Sequence, residues 1–243
     1  MHRALLLVGV VGLASCGRIQ ESALHSGIDP QPLVVLMGGN TSCRADSSGR
    51  ADSPYATGLY RRFVGLRDLL KAQRGIDARY ITTCYGNTEQ IRYATSNAPD
   101  TIEATTREQL PALIRRLQSG SEIYILGHSY GGWLAMKTGV ELADQPIRGM
   151  FTVDPISRVD CNASGGIAGC TRAPRDIGVT EREKIKSASD HWRNFFQTQT
   201  VWLHSSPMDE ADVNSQIRAA HTSIDSDDGT WNEINAVFLG SIF

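Results

Sequence analysis

Residues 122–142 read EIYIL-GHSYG-GWLAMKTGVEL, and this stretch constrains the rest of the chain. The first five residues are a short apolar run, the pattern of a buried strand. The last eleven read as a helix that runs to Leu142, with no proline to stop it. Between them Gly127-His128-Ser129-Tyr130-Gly131 fits G-x-S-x-G. A strand that turns into a helix this abruptly forces Ser129 into a strained backbone conformation, and glycines two before and two after keep the neighbouring chains from colliding. The hydroxyl is then raised at the carboxyl end of a strand and at the positive end of the following helix.

The same alternation extends in both directions. Residues 33–37 (LVVLM) form a buried-strand pattern that stops at Gly38-Gly39-Asn40. Residues 58–74 place Leu59, Phe63, Leu66, Leu69 and Leu70 on one helical face, and Gly75 stops them. Residues 78–83 read as a second strand and 84–99 as loop. A helix is expected within 101–119, where Leu110, Leu113, Ile114 and Leu117 are spaced for one face and Pro111 implies a kink or a late start. Residues 148–153 and 200–204 read as the fourth and fifth strands. Residues 155–190 are a long polar connection with a short helix near 180–187, and 229–239 are a last helix capped by Asp228. Strands alternating with helices imply an α/β architecture with a mostly parallel sheet covered on both faces. There is no internal repeat and no linker to a second domain.

Composition agrees with one folded domain. The 243 residues are 41% apolar and 21% charged, with a formal net charge of −2. Neither a basic excess for nucleic acid nor an acidic tail is present. The mean hydropathy of −0.24 excludes a multi-span membrane protein.

The amino terminus reads as an address. Met1-His2-Arg3 is short and basic, and ALLLVGVVGL (4–13) is apolar but too short for a bilayer. Small residues then precede Cys16. Leu13-Ala14-Ser15-Cys16 resembles the bacterial lipobox, which implies cleavage before Cys16, lipidation of its sulfur and a mature chain of 243 − 15 = 228 residues. Gly17 after that cysteine, by the same analogy, favours the outer over the inner membrane. The expected organisation is a signal peptide (1–15), a tether (16–31) and one domain (32–243) in which 155–190 is cap-like.

Removing Cys16 from five cysteines leaves four. Cys161 and Cys170 flank the Gly-rich NASGGIAG, and Cys43 and Cys84 each follow a predicted strand. The expected bridges are 43–84 and 161–170, suited to an exported compartment.

On its G-x-S-x-G motif and its strand and helix order, the chain resembles the α/β-hydrolase superfamily. The resemblance implies a minimal member with a central sheet of about five to six strands and helices on both faces. Strand 78–83 would lie at one edge, followed by 33–37, 122–126, 148–153 and 200–204. Strands 33–37 and 78–83 would then be neighbours, which suits a Cys43–Cys84 bridge. It also implies Ser129 as nucleophile, with an acid and then a histidine base downstream. His191, His204 and His221 qualify by position. His204 falls inside a predicted strand and His191 opens the aromatic segment HWRNFF. His221, in the polar AAHTSIDSDDG before the last helix, is the expected base. Asp154, at the end of MFTVD with Pro155 turning the chain, is the expected acid, and Asp209 in HSSPMDEADV is the alternative. The oxyanion hole would use the amides of Tyr130 and Gly39, with Asn40 as a further side-chain donor; Met37 departs from the histidine often found there.

The implied activity is hydrolysis of carboxylic esters or thioesters through an acyl-enzyme. An acyltransferase or peptidase on the same triad, or a catalytically silent envelope lipoprotein, are the alternatives. The polar 155–190 connection argues against a triglyceride lid and for a small or amphiphilic substrate. No cofactor is implied. Asp225-Ser226-Asp227-Asp228-Gly229 fails the EF-hand spacing, so no metal is expected and the run reads as a turn and helix cap.

Overall fold

The computed structural model describes residues 31–39, 42–45, 49, 51–85, 90–157, 159, 161 and 169–241. The expected signal peptide, Cys16, the tether up to residue 30, Asn40 and residues 162–168 of the cap-like connection lie outside the described residues.

In chain order the elements are β1 (Leu33–Met37), α1 (Gly58–Arg74), β2 (Arg79–Tyr85), β3 (Ile91–Thr95), β4 (Ala98–Thr105), α2 (Leu110–Gln118), β5 (Ile123–His128), α3 (Tyr130–Glu141), β6 (Ile147–Val153), α4 (Val179–Ala188), β7 (Trp192–Phe196), β8 (Val213–Gln216) and α5 (Asp228–Ser241). The strands form one eight-stranded sheet in the order β4-β3-β2-β1-β5-β6-β7-β8. The six strands β2-β1-β5-β6-β7-β8 are parallel, in five pairs, and β3 and β4 add an antiparallel hairpin outside β2.

The two faces of the sheet are dictated by alternation along its strands. Leu33, Val35 and Met37 of β1 point to one side, where α2, α3 and α4 cover them with Leu110, Ile114, Trp133, Leu134, Met136 and Ile185. Val34 and Leu36 point to the other, where α1 and α5 bring Leu59, Phe63, Leu70, Trp231 and Phe238. Gly75 ends α1 in the left-handed conformation at φ 71°, as its position after the periodic run requires.

Three expectations are corrected. Among the described residues the sheet has eight strands, not five or six, because 84–105 is a strand end and a hairpin where loop and the start of a helix were expected, and Val213–Gln216 adds β8; α2 begins only at Leu110. β4 and β8 were hidden by their polarity, whereas β3 is a short buried strand. β4 is an edge strand carrying Asp100 and Glu103, with Pro99 at its start, so it lacks an apolar face. The fifth parallel partner is Trp192–Phe196, not 200–204. Residues 200–204 form a turn in which Val201 and Trp202 are 75% and 59% exposed, so their apolar character does not report burial. Finally, Asp227 rather than Asp228 caps α5, its Oδ1 accepting from Gly229 N (2.8 Å) and Thr230 N (3.2 Å).

Cys43 is bonded to Cys84 with 5.0 Å between Cα atoms, and Cys161 to Cys170 with 4.7 Å. The first bridge fastens the segment after β1 to the end of β2. No helix among the described residues is long and apolar enough to cross a membrane.

Candidate active site

Ser129 stands at the turn between β5 and α3 with φ 60° and ψ −128°, a conformation that costs about 1–3 kcal/mol for a residue with a side chain. Its surroundings hold it there. Ser129 N donates to Val153 O of β6 (2.9 Å), and Ser129 O accepts from Gly132 N (2.9 Å) and Ile156 N (3.1 Å). The flanking glycines are required by contact. A Cβ on Gly127 would lie 2.2 Å from Gly131 O, and one on Gly131 would lie 2.1 Å from Met37 O. Real Cβ atoms do not approach backbone oxygens so closely, so the turn excludes every other residue at both positions.

Asp154 leaves the end of β6, likewise at positive φ (44°). Asp154 N donates to Phe195 O of β7 (2.6 Å). Its carboxylate is fully buried, and burial of a charge is tolerated only with good partners. Oδ1 accepts from Ser205 N (2.6 Å), and Oδ2 from Gln197 Nε2 (2.8 Å) and from His221 Nδ1 (2.7 Å). With Nδ1–H given to the carboxylate, the other nitrogen of His221 carries a lone pair, and it faces Ser129 Oγ at 2.9 Å. The structure therefore brings Ser129, His221 and Asp154 into one chain of hydrogen bonds. Asp209 is exposed in the turn ahead of β8 and is not the partner of His221.

The turn after β7 joins Asp154 and His221. Gln197, fully buried, also donates Nε2 to Leu203 O (2.8 Å) and accepts from Thr200 N (2.8 Å) at Oε1. Thr200 Oγ1 accepts from His221 N (3.1 Å). Gln197, Thr200 and Ser205 were missed in the sequence reading. The one local signal was a glutamine directly after the buried aromatic run of β7.

Gly39 lies against the serine; a Cβ there would be 2.7 Å from Ser129 Cβ and 3.1 Å from Oγ. Gly38 N donates to Thr83 O (3.0 Å), which fixes the turn after β1 beside β2. Tyr130 is the first residue of α3, where main-chain N–H groups point out of the helix end. Tyr130 stacks on Trp133 (4.8 Å between centroids), and Trp133 with Arg107, Lys137 and Asp176 lines a groove of about 540 Å³. None of the three linked residues lines that groove.

Among the described residues no group of three or more His, Cys, Asp or Glu side chains is placed to hold a metal ion.

The strand order, the strained serine between a strand and a helix, and the chain order Ser, Asp, His are together distinctive. The chain has the α/β-hydrolase fold. No family model and no curated protein matches it. Among solved structures, it is similar to the ydeN gene product of B. subtilis (11% identity, covering 86% of this chain and 100% of that one, TM-score 0.49). It is also similar to Est1E from Butyrivibrio proteoclasticus with ferulic acid bound (12% identity, 90% and 92%, TM-score 0.46). A third is the monoacylglycerol lipase of Paleococcus ferrophilus (13% identity, 87% and 95%, TM-score 0.46). At such identities, the activity of this α/β-hydrolase-fold chain has to be argued from its own residues.

Proposed function

We propose that this protein is a serine hydrolase of carboxylic esters or thioesters, acting through an acyl-enzyme. The observation that carries the reading is the unbroken Ser129 Oγ–His221 Nε2 (2.9 Å) and His221 Nδ1–Asp154 Oδ2 (2.7 Å) line at a strained turn. A serine hydroxyl is too weak a nucleophile at neutral pH unless a base takes its proton as it attacks. His221 Nε2 is the base within reach. As Oγ bonds to the carbonyl carbon, the proton passes to Nε2, and Asp154 stabilises the imidazolium while fixing the tautomer. The same proton is then given to the departing alkoxide or thiolate. Water, deprotonated by His221, attacks the acyl-serine and releases the acid and free Ser129. The oxyanion of each tetrahedral intermediate is held by the main-chain N–H groups of Gly39 and Tyr130, whose placement beside Ser129 suits the role.

A panel of chromogenic esters of increasing acyl length tests this reading. Wild-type protein is expected to turn over and to label at Ser129 with a fluorophosphonate. Ser129→Ala is expected to lose at least about a thousandfold in kcat, as is Asp154→Asn, whereas Asp209→Asn changes kcat less than about twofold. Absence of both turnover and label, or loss at Asp209 alone, overturns it.

We extend the proposal to the amino terminus. The Leu13-Ala14-Ser15-Cys16 pattern supports a lipid-anchored envelope protein whose substrate is small or amphiphilic. Labelled palmitate is expected in the wild-type protein and not in Cys16→Ser; equal incorporation in both refutes the anchor.

A further inference from the structure

The residue before the serine has no part in the proton transfers above, yet it is tied to the base. His128 ends β5, and its Nε2 lies 2.8 Å from the main-chain oxygen of His221. A carbonyl only accepts, so Nε2 carries the hydrogen. Nδ1 on the other side of the ring faces Asp225 Oδ2 at 3.5 Å. Asp225 lies four residues beyond His221 on the same loop, and its carbonyl accepts from Trp231 Nε1 of α5 (2.8 Å). Its carboxylate rests on the first residue of α1, where a Cβ on Gly58 would be 2.3 Å from Oδ2. The His128 ring thus stands inside the loop that carries the base and touches it at two points four residues apart. The rings of His128 and His221 are 5.0 Å apart.

We propose that His128 is a positioning residue that sets the reach of His221 toward Ser129 by holding the base's own carbonyl. The inference rests on the reading of Ser129, His221 and Asp154 as a working triad. The loop has two other ties near the base, His221 N to Thr200 Oγ1 (3.1 Å) and Nδ1 to Asp154 (2.7 Å). Both lie on the β6–β7 side. His128 supplies the tie on the β5 side, from the same strand end that raises the serine. Nucleophile and base are thereby referenced to one rigid element.

The charge of the ring matters as well. The charged groups facing His128 are Asp225 from the loop that carries the base, His221 across the ring contact and Asp154. Burial holds its pKa below the usual histidine value, against the pull of the two carboxylates. The ring therefore stays neutral while His221 becomes cationic during turnover, and no second cation opposes the proton transfer.

The test compares His128→Leu, which removes the donor, with His128→Gln, whose amide can restore a donor near Nε2. His128→Leu is expected to lower kcat at least tenfold with KM within twofold, and His128→Gln to recover to within threefold of wild type. The downfield proton signal of His221 Nδ1–H should be weakened or lost in the leucine variant and retained in the glutamine one. Asp225→Asn, which removes a negative charge beside the two rings, is expected to move the acid limb of kcat/KM to lower pH. A leucine variant with kcat within twofold and the Nδ1–H signal intact overturns the inference, as does a glutamine variant as impaired as the leucine one. If wild type hydrolyses no ester, the proposed function fails, while the His221 proton signal still decides whether His128 sets the base.

Discussion

At the scale of single residues, four positions hold the candidate site, and each is under local stress. Ser129 and Asp154 both occupy positive φ, which non-glycine residues avoid, and Gly127 and Gly131 are squeezed against backbone oxygens. The hydrogen bonds to Val153 O, Phe195 O and Ser205 N offset that strain. His128 adds a cost that depends on pH. Its folded pKa lies below its unfolded value because burial disfavours the cation. The unfolded state then binds more protons, so this group removes stability as pH falls through the unfolded value of about 6.5. Below the folded value the loss levels off, and above about 7.5 there is none. Tm is therefore expected to fall between pH 7.5 and pH 5 more steeply in wild type than in His128→Gln. Parallel Tm curves for the two proteins would show that the ring is not kept neutral.

Among the elements, β7 and the turn after it explain most of what a linear reading missed. WRNFF (192–196) is buried on both faces, with Trp192 in one cluster and Phe195 in the other, but it is only five residues long, and its Arg193 and Asn194 break the apolar run. The rival VWLH (201–204) looked more strand-like on apolar content, and only its exposure in the fold removes it. That turn has a different task, since it carries the groups that Gln197 ties together around Asp154. Gln197→Leu is expected to lower stability by about 1–3 kcal/mol, because Leu203 O and Thr200 N lose buried partners. It should also reduce kcat with little effect on KM, because Oδ2 of Asp154 loses a donor. Denaturant midpoints with initial rates check both. The β3–β4 hairpin escaped notice for the opposite reason. Its outer strand is polar and exposed, so it shows neither an apolar run nor a buried alternation.

For the whole molecule, the stabilising plan is a sheet with one apolar cluster on each face and a disulfide that closes a long loop. Cys43–Cys84 spans 41 residues, enclosing α1 and most of β2, and anchors the chain four residues after Gly39. Loop-closure entropy gives such a bridge roughly 4 kcal/mol against the unfolded chain. The double variant Cys43→Ala/Cys84→Ala is expected to lose about 2–4 kcal/mol in urea unfolding under oxidising conditions. A change below about 1 kcal/mol would mean that the sheet alone holds that segment. The same bridge secures the approach of Gly39 to Ser129, so the variant's kcat should fall as well.

Local pattern was enough to place β1, α1, β5, α3, β6 and α5 and to single out Ser129, because apolar period and G-x-S-x-G act over a few neighbouring residues. Asp154 and His221 were nominated through the resemblance, by the order Ser, acid, His, with Asp154 at the end of a predicted strand and His221 in the polar loop before the last helix. The choice of Asp154 over Asp209 rests on hydrogen bonds between groups 67 residues apart in the chain. So do the clamp of Gln197, Thr200 and Ser205 and the support of His221 by His128. Those partners are polar, scattered and unremarkable one by one. They acquire their roles because a parallel sheet gathers the carboxyl ends of β5, β6 and β7 along one edge, a proximity that no local spacing encodes.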